Sequence, residues 1–109
     1  MAQFDVHRNK GALRDAIPFV VIVQSAQFDG YRRRVVVPLV RDTLLPRNTP
    51  TIGARMNPAF VVEGVRVVLH PLDTVSVAVD QLGELVGSLA QEGQIIADAL
   101  DELLTRSRG

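Results

Sequence analysis

The chain has 109 residues, 47% of them hydrophobic and 22% charged, a profile that describes one globular domain and excludes two. It has no cysteine, so disulfide and thiolate chemistry are excluded; no apolar run nears the roughly 18 residues needed to span a bilayer and no signal segment opens the chain, so a cytoplasmic location is expected. The net charge of zero hides an asymmetry: residues 1–70 carry ten Lys/Arg against five Asp/Glu, residues 71–109 two against seven, so the first part attracts an acidic partner and the tail repels one.

Valine marks out the elements. Sixteen of seventeen valines precede residue 80, while half of the twelve leucines follow it. Valine is stiff at χ1 and suits a pleated surface, whereas leucine is a good helix former. Strands are therefore expected over about 3–79 and a helix over about 88–104. The first strand runs from Gln3 to His7, alternating Phe4 and Val6 with polar neighbours. Phe19 to Gln24 follows a polar loop, and the run from Arg34 to Leu39 is reached through the turn Phe28-Asp29-Gly30. The runs 59–62 and 65–69 flank Glu63-Gly64, a two-residue connection that predicts a tight hairpin. Thr74 to Val79 alternates again. Five or six short strands at this spacing predict a mainly β fold: a small SH3-like antiparallel barrel or curled sheet.

Between Thr43 and Pro58 the pattern lapses. Pro46, Pro50 and Pro58 bias the chain to extended conformations, which predicts a long, stiff surface loop, either a crossover between barrel layers or a binding element. At the helix, Ser88 with Gln91 three residues on fits a capping box. Leu89, Ile95, Ile96, Ala99, Leu100, Leu103 and Leu104 cover about half of its circumference at helical spacing. That arc is wider than one barrel face needs, and a second copy of the chain is the simplest partner for the remainder.

The search for chemistry returns ordinary readings. His7 and His70 are far apart with no metal-ligand spacing, and each reads as a strand-face or surface histidine. Gly83, Gly87 and Gly93 are too widely spaced for a nucleotide loop. Asp98, Asp101 and Glu102 read as a solvated helix face before an acid/base pair, and neither Ser25 nor Ser76 has an activating neighbour in sequence. No catalytic residue, metal or cofactor is expected. The one conspicuous charge cluster is Arg32-Arg33-Arg34, with Arg32 and Arg34 expected on one face and Arg33 on the other. It either protects an edge strand or clamps carboxylates or phosphates.

Taken in order, several segments carry a resemblance. These are Gln3-Phe4-x-Val6, the strand from Phe19 ending Val23-Gln24-Ser25, the run from Arg32 through Pro38-Leu39, Asn57-Pro58-x-Phe60, the alternation from Val75 to Val79, and Ile96-x-x-Ala99 in a Leu-rich helix. From Gln3 to about Leu104 the chain resembles the CcdB family, the toxin half of a plasmid-maintenance toxin–antitoxin pair. The resemblance implies an SH3-like barrel with a terminal helix, acting as a homodimer. It implies a toxin that binds the A subunit of DNA gyrase and traps the enzyme on cleaved DNA, with no chemistry of its own. It also implies an antitoxin that wraps the toxin with an acidic, partly disordered segment, the pair repressing their own operon, so that DNA is met only through that complex.

Carried over by position, the gyrase contacts implied are Gln24, Ser25, Gln27 and Phe28 in the turn after the second strand, and Asp101, Leu104 and Thr105 at the helix end. Arg32, Arg33 and Arg34 are the expected antitoxin contacts. Ile95, Ala99, Leu103 and Leu104 are the expected dimer interface. The family pattern closes with an aromatic residue, then tryptophan, glycine and isoleucine, whereas this chain closes Leu104-Thr105-Arg106-Ser107-Arg108-Gly109 and holds no tryptophan. Two alternatives stand beside this reading: an mRNA endonuclease of the MazF type on the same barrel, and a degenerate toxin acting as an antitoxin sink.

Overall fold

The computed structural model describes residues 2–44 and 55–106. The valine-rich runs pair into antiparallel strands: β1 (Asp5–Asn9), β2 (Phe19–Ile22), β3 (Arg33–Arg41), β4 (Ala59–Val62), β5 (Val65–Leu69), β6 (Val75–Ala78) and β7 (Leu82–Ser88), followed by the helix α1 (Gly93–Asp101). The sheet order is β4-β5-β3-β2-β1-β7, with β6 also beside β3. The fold is mainly β, a curled half-barrel closed off by a C-terminal helix, as expected.

The curl originates in β3. One of its edges pairs with β2 from Val36 to Leu39. Its other edge is shared, Arg33 to Val36 with β6 and Leu39 to Arg41 with β5. Pro38 lies where that edge passes from one partner to the other. Its carbonyl accepts from His70 N at 3.1 Å, so its missing N–H falls on the same side, in the gap between β6 and β5. A proline inside a long strand is tolerated because no ladder bond is owed there. The β4–β5 hairpin turns through Glu63 and Gly64, both at positive φ (50° and 76°), the primed geometry that matches strand twist.

The core has two faces. Under α1 lie Val6, Phe19, Val21, Val37, Leu39, Val67 and Leu69 with Leu89, Ile96 and Ala99. The opposite face buries Val20, Ile22 and Val36, with Val77 and Leu82 packed on them. β2 is buried on both sides, which is why its sequence is a continuous apolar run rather than an alternation. Phe4 ties the helix to the sheet edge. It sits at φ 71°, with its N–H donating to Ile22 O at 2.6 Å and its carbonyl accepting from Leu89 N at 2.8 Å.

The expected boundaries change at the C-terminal end. Strands continue to Ser88, not Val79, because β7 pairs along β1. The helix of 88–104 resolves into a 3-10 turn (Ala90–Glu92), α1 and a π-helical turn (Glu102–Arg106). Ser88 ends a strand, and its hydroxyl accepts from Ala90 N at 3.1 Å instead of capping α1. His7 is buried at 5% exposure, with Nδ1 bonded to Gly83 O at 2.9 Å. The β1–β7 register shifts beside that contact. A Cβ on Gly83 would lie 2.5 Å from the Arg8 carbonyl oxygen, a backbone atom that cannot rotate away. Gly83→Ala is therefore expected to destabilise by about 1–3 kcal/mol, read as a lower urea midpoint; an unchanged midpoint would show that β7 tolerates the shift. Of the stretch 43–58, residues 45–54 lie outside the described set, so the expected stiff loop falls largely beyond it.

Candidate partner-binding site

The connection between β2 and β3 is fastened at both ends. At its start, Gln24 Oε1 accepts from Val35 N at 2.8 Å, while Nε2 donates to Phe28 O at 3.5 Å and Arg33 O at 3.4 Å. Ser25 caps the 3-10 turn Ala26–Phe28, its hydroxyl accepting from Gln27 N at 3.4 Å. At the far end Arg34 is only 5% exposed. Its guanidinium donates to the carbonyls of Tyr31, Arg33 and Asp29, the last at 2.6 Å, and its Nε lies 3.8 Å from Asp29 Oδ1. A buried guanidinium is tolerated only with such a set of acceptors.

The arginine triplet is thereby divided. Arg34 does not share an exposed face with Arg32; it is an internal fastener whose donors are turned into the loop. Arg32 and Arg33 are exposed. Arg33 donates from Nε to Ser76 Oγ at 2.8 Å and from its terminal nitrogen to Ser76 O at 2.7 Å. With Ala78, Val79 and Asp80 these two arginines line an open groove of about 570 Å³.

The fastened loop displays two rings. Phe28 is 42% exposed and Tyr31 68%; they meet edge to face with centroids 5.9 Å apart at 71°. Gln27 is exposed beside them. Tyr31 is missed by sequence reasoning, since a lone tyrosine in a turn carries no periodicity.

The helix end supplies the other expected contacts. Leu104 is 74% exposed and Ile95 47%; Leu103 and Asp101 are half-buried. Ala99, expected at a dimer interface, is wholly buried against its own sheet and offers no surface to a partner. Thr105 lies in the π-helical turn, its side chain outside the described set. The carboxylates weighed as an acid/base pair are engaged: Asp98 and Glu102 flank Arg55 at 3.7 and 3.6 Å, and Asp98 accepts from Gln94 at 3.0 Å. Arg8 in β1 donates to Glu84 in β7 and to Glu63 in the β4–β5 turn, and these carboxylates raise its pKa above the ordinary arginine value. Among the described residues, no three of His, Asp and Glu converge on a metal position. No helix there is long and apolar enough to cross a membrane.

The family model described as CcdB protein matches residues 3–106, nearly the whole chain. The chain belongs to the CcdB family. No curated protein matches it. As a CcdB-family member it is the toxin of a toxin–antitoxin module, so the surfaces to weigh are those that meet other macromolecules. On this CcdB-family fold the fastened turn brings Gln24, Ser25, Gln27 and Phe28 together with Tyr31. Asp101 and Leu104 sit on a different element.

Proposed function

We propose that this CcdB-family toxin acts as a homodimer in the cytoplasm, binding the A subunit of DNA gyrase and holding it on cleaved DNA without chemistry of its own. The observation that supports this is the fastened, exposed turn carrying Phe28 at positions the family uses against gyrase. An aromatic side chain on an ordered loop is the usual form of an interface hot spot. Without a C-terminal tryptophan, Phe28 takes a larger share of the binding energy. Phe28→Ala is expected to weaken binding to the gyrase A subunit by about 2 kcal/mol, roughly thirtyfold, and deletion of residues 107–109 by far less. A tight complex indifferent to Phe28→Ala would overturn the assignment.

Restraint of the toxin, and repression of its operon, fall to an antitoxin with an acidic segment. Arg32 and Arg33 are the surface cations available to that segment, with Arg34 supporting them from inside. Such ion pairs steer association and weaken as salt screens them. Replacing Arg32 and Arg33 with glutamine is expected to weaken antitoxin binding and flatten its salt dependence, measured by titration calorimetry at two ionic strengths. Unchanged affinity at both would reduce the arginines to solubilising an edge.

One observation favours the endonuclease as a second reading: Arg33, which lines a groove with Arg32 and Asp80, is bonded to the Ser76 hydroxyl. RNA cleavage by the purified protein that is lost in Arg33→Ala would establish it.

A further inference from the structure

We infer that Tyr31 is a second anchor for the gyrase A subunit and that Arg34 is the residue that positions it. The anchor rests on the gyrase reading above; the positioning role stands on the fold alone. None of residues 25–33 is buried, so this loop adds nothing to the hydrophobic core. Its backbone is nevertheless held by a nearly fully buried guanidinium, whose burial is costly unless every donor is matched. Arg34 offsets that cost with its two terminal nitrogens, which draw three loop carbonyls inward, those of Asp29, Tyr31 and Arg33, while its Nε faces the Asp29 carboxylate at 3.8 Å. Gln24 fastens the same loop from the other side through Phe28 O and Arg33 O.

With its carbonyls turned in, the loop turns its rings out. Tyr31 and Phe28 pack edge to face. Tyrosine supplies a large apolar face and a hydroxyl at small entropic cost, and a loop ordered before binding loses less on association. Arg32 follows Tyr31 directly and adds an exposed cation at the rim. The partner surface that fits is an apolar pocket with an acidic edge and an acceptor for the Tyr31 hydroxyl.

The protein carries its own probe. Tyr31 is the only tyrosine and there is no tryptophan, so tyrosine emission reports this loop alone. Arg34→Lys keeps the charge but loses the planar fork. It is expected to lower the anisotropy of Tyr31 and raise its quenching by acrylamide while the far-ultraviolet circular dichroism of the sheet is unchanged. Where Arg34→Lys does not fold, Gln24→Ala opens the other fastening and is expected to do the same. Unchanged anisotropy and quenching in a folded variant would overturn the positioning role, whatever the target. Binding to the gyrase A subunit tests the anchor: Tyr31→Ala is expected to lose at least about tenfold, and Tyr31→Phe to keep affinity within about threefold. A wild-type complex unaffected by Tyr31→Ala would overturn the anchor. Absence of any wild-type complex would instead overturn gyrase as the target, and the anchor with it, leaving the fluorescence result to stand or fall separately.

Discussion

Ile96→Ala is expected to cost about 2–5 kcal/mol, the loss that truncating a fully buried isoleucine brings. Ile96 has no exposed surface and, on the buried face of α1 with Ala99, belongs to the core cluster that also holds Leu89. Truncation removes three methyl or methylene groups from a close-packed site and leaves a cavity that the surrounding sheet can fill only in part. A domain of this size is stable by only about 5–15 kcal/mol, so the loss is a large share of the total. It should appear as a fall in melting temperature of about 10 °C or more, with the denaturant slope unchanged. A loss under about 1 kcal/mol would mean that α1 is not seated on the sheet as described.

Charging the end of the helix is expected to convert a dimer to monomers. Leu104 is 74% exposed in a single protomer, and Leu103 is half-buried. Covering a leucine fully is worth about 1.5–3 kcal/mol. A two-fold interface covers each residue twice. Glutamate at both positions removes that gain and places four carboxylates across the axis, so association should weaken by at least about a hundredfold. Because neither residue is fully buried in its own protomer, the variant should still fold. Sedimentation at micromolar concentration should show a dimer for the wild type and a monomer for the variant. A monomeric wild type, or a variant that stays dimeric, would overturn the helix-mediated dimer.

The legible parts of the fold were those specified by near neighbours in sequence. β2, β3 and the β4–β5 hairpin announce themselves through valine runs and the Glu63-Gly64 turn. β7 does not. Leu82-Gly83-Glu84-Leu85-Val86-Gly87-Ser88 alternates weakly and holds two glycines, and what makes it a strand is a partner far away in the chain. Ser88 has the sequence of a helix cap, with Gln91 at capping-box spacing, but pairing with Asp5 claims its backbone for the sheet first. At the candidate site, Phe28 was reachable through the resemblance, while the role of Arg34 was hidden. Strand alternation assigns it a face, yet its burial depends on three carbonyls of a loop whose path only the folded structure shows. Ala99 falls on the apolar arc, and helical spacing gives the width of that arc without saying which part the sheet consumes.

The pairing of β1 with β7 also governs when the toxin can first exist. His7 and Gly83 are separated by 76 positions along the chain yet bonded in the fold. During synthesis the N-terminal strand therefore has one bare edge until the last strand has left the ribosome, and α1 cannot seat on a sheet still lacking its final member. A chain made from its N-terminus at about 5–20 residues per second spends seconds in that state. The closing contact is also the entropically slow, long-range kind. A nascent or truncated chain therefore lacks both the completed sheet and the seat for α1.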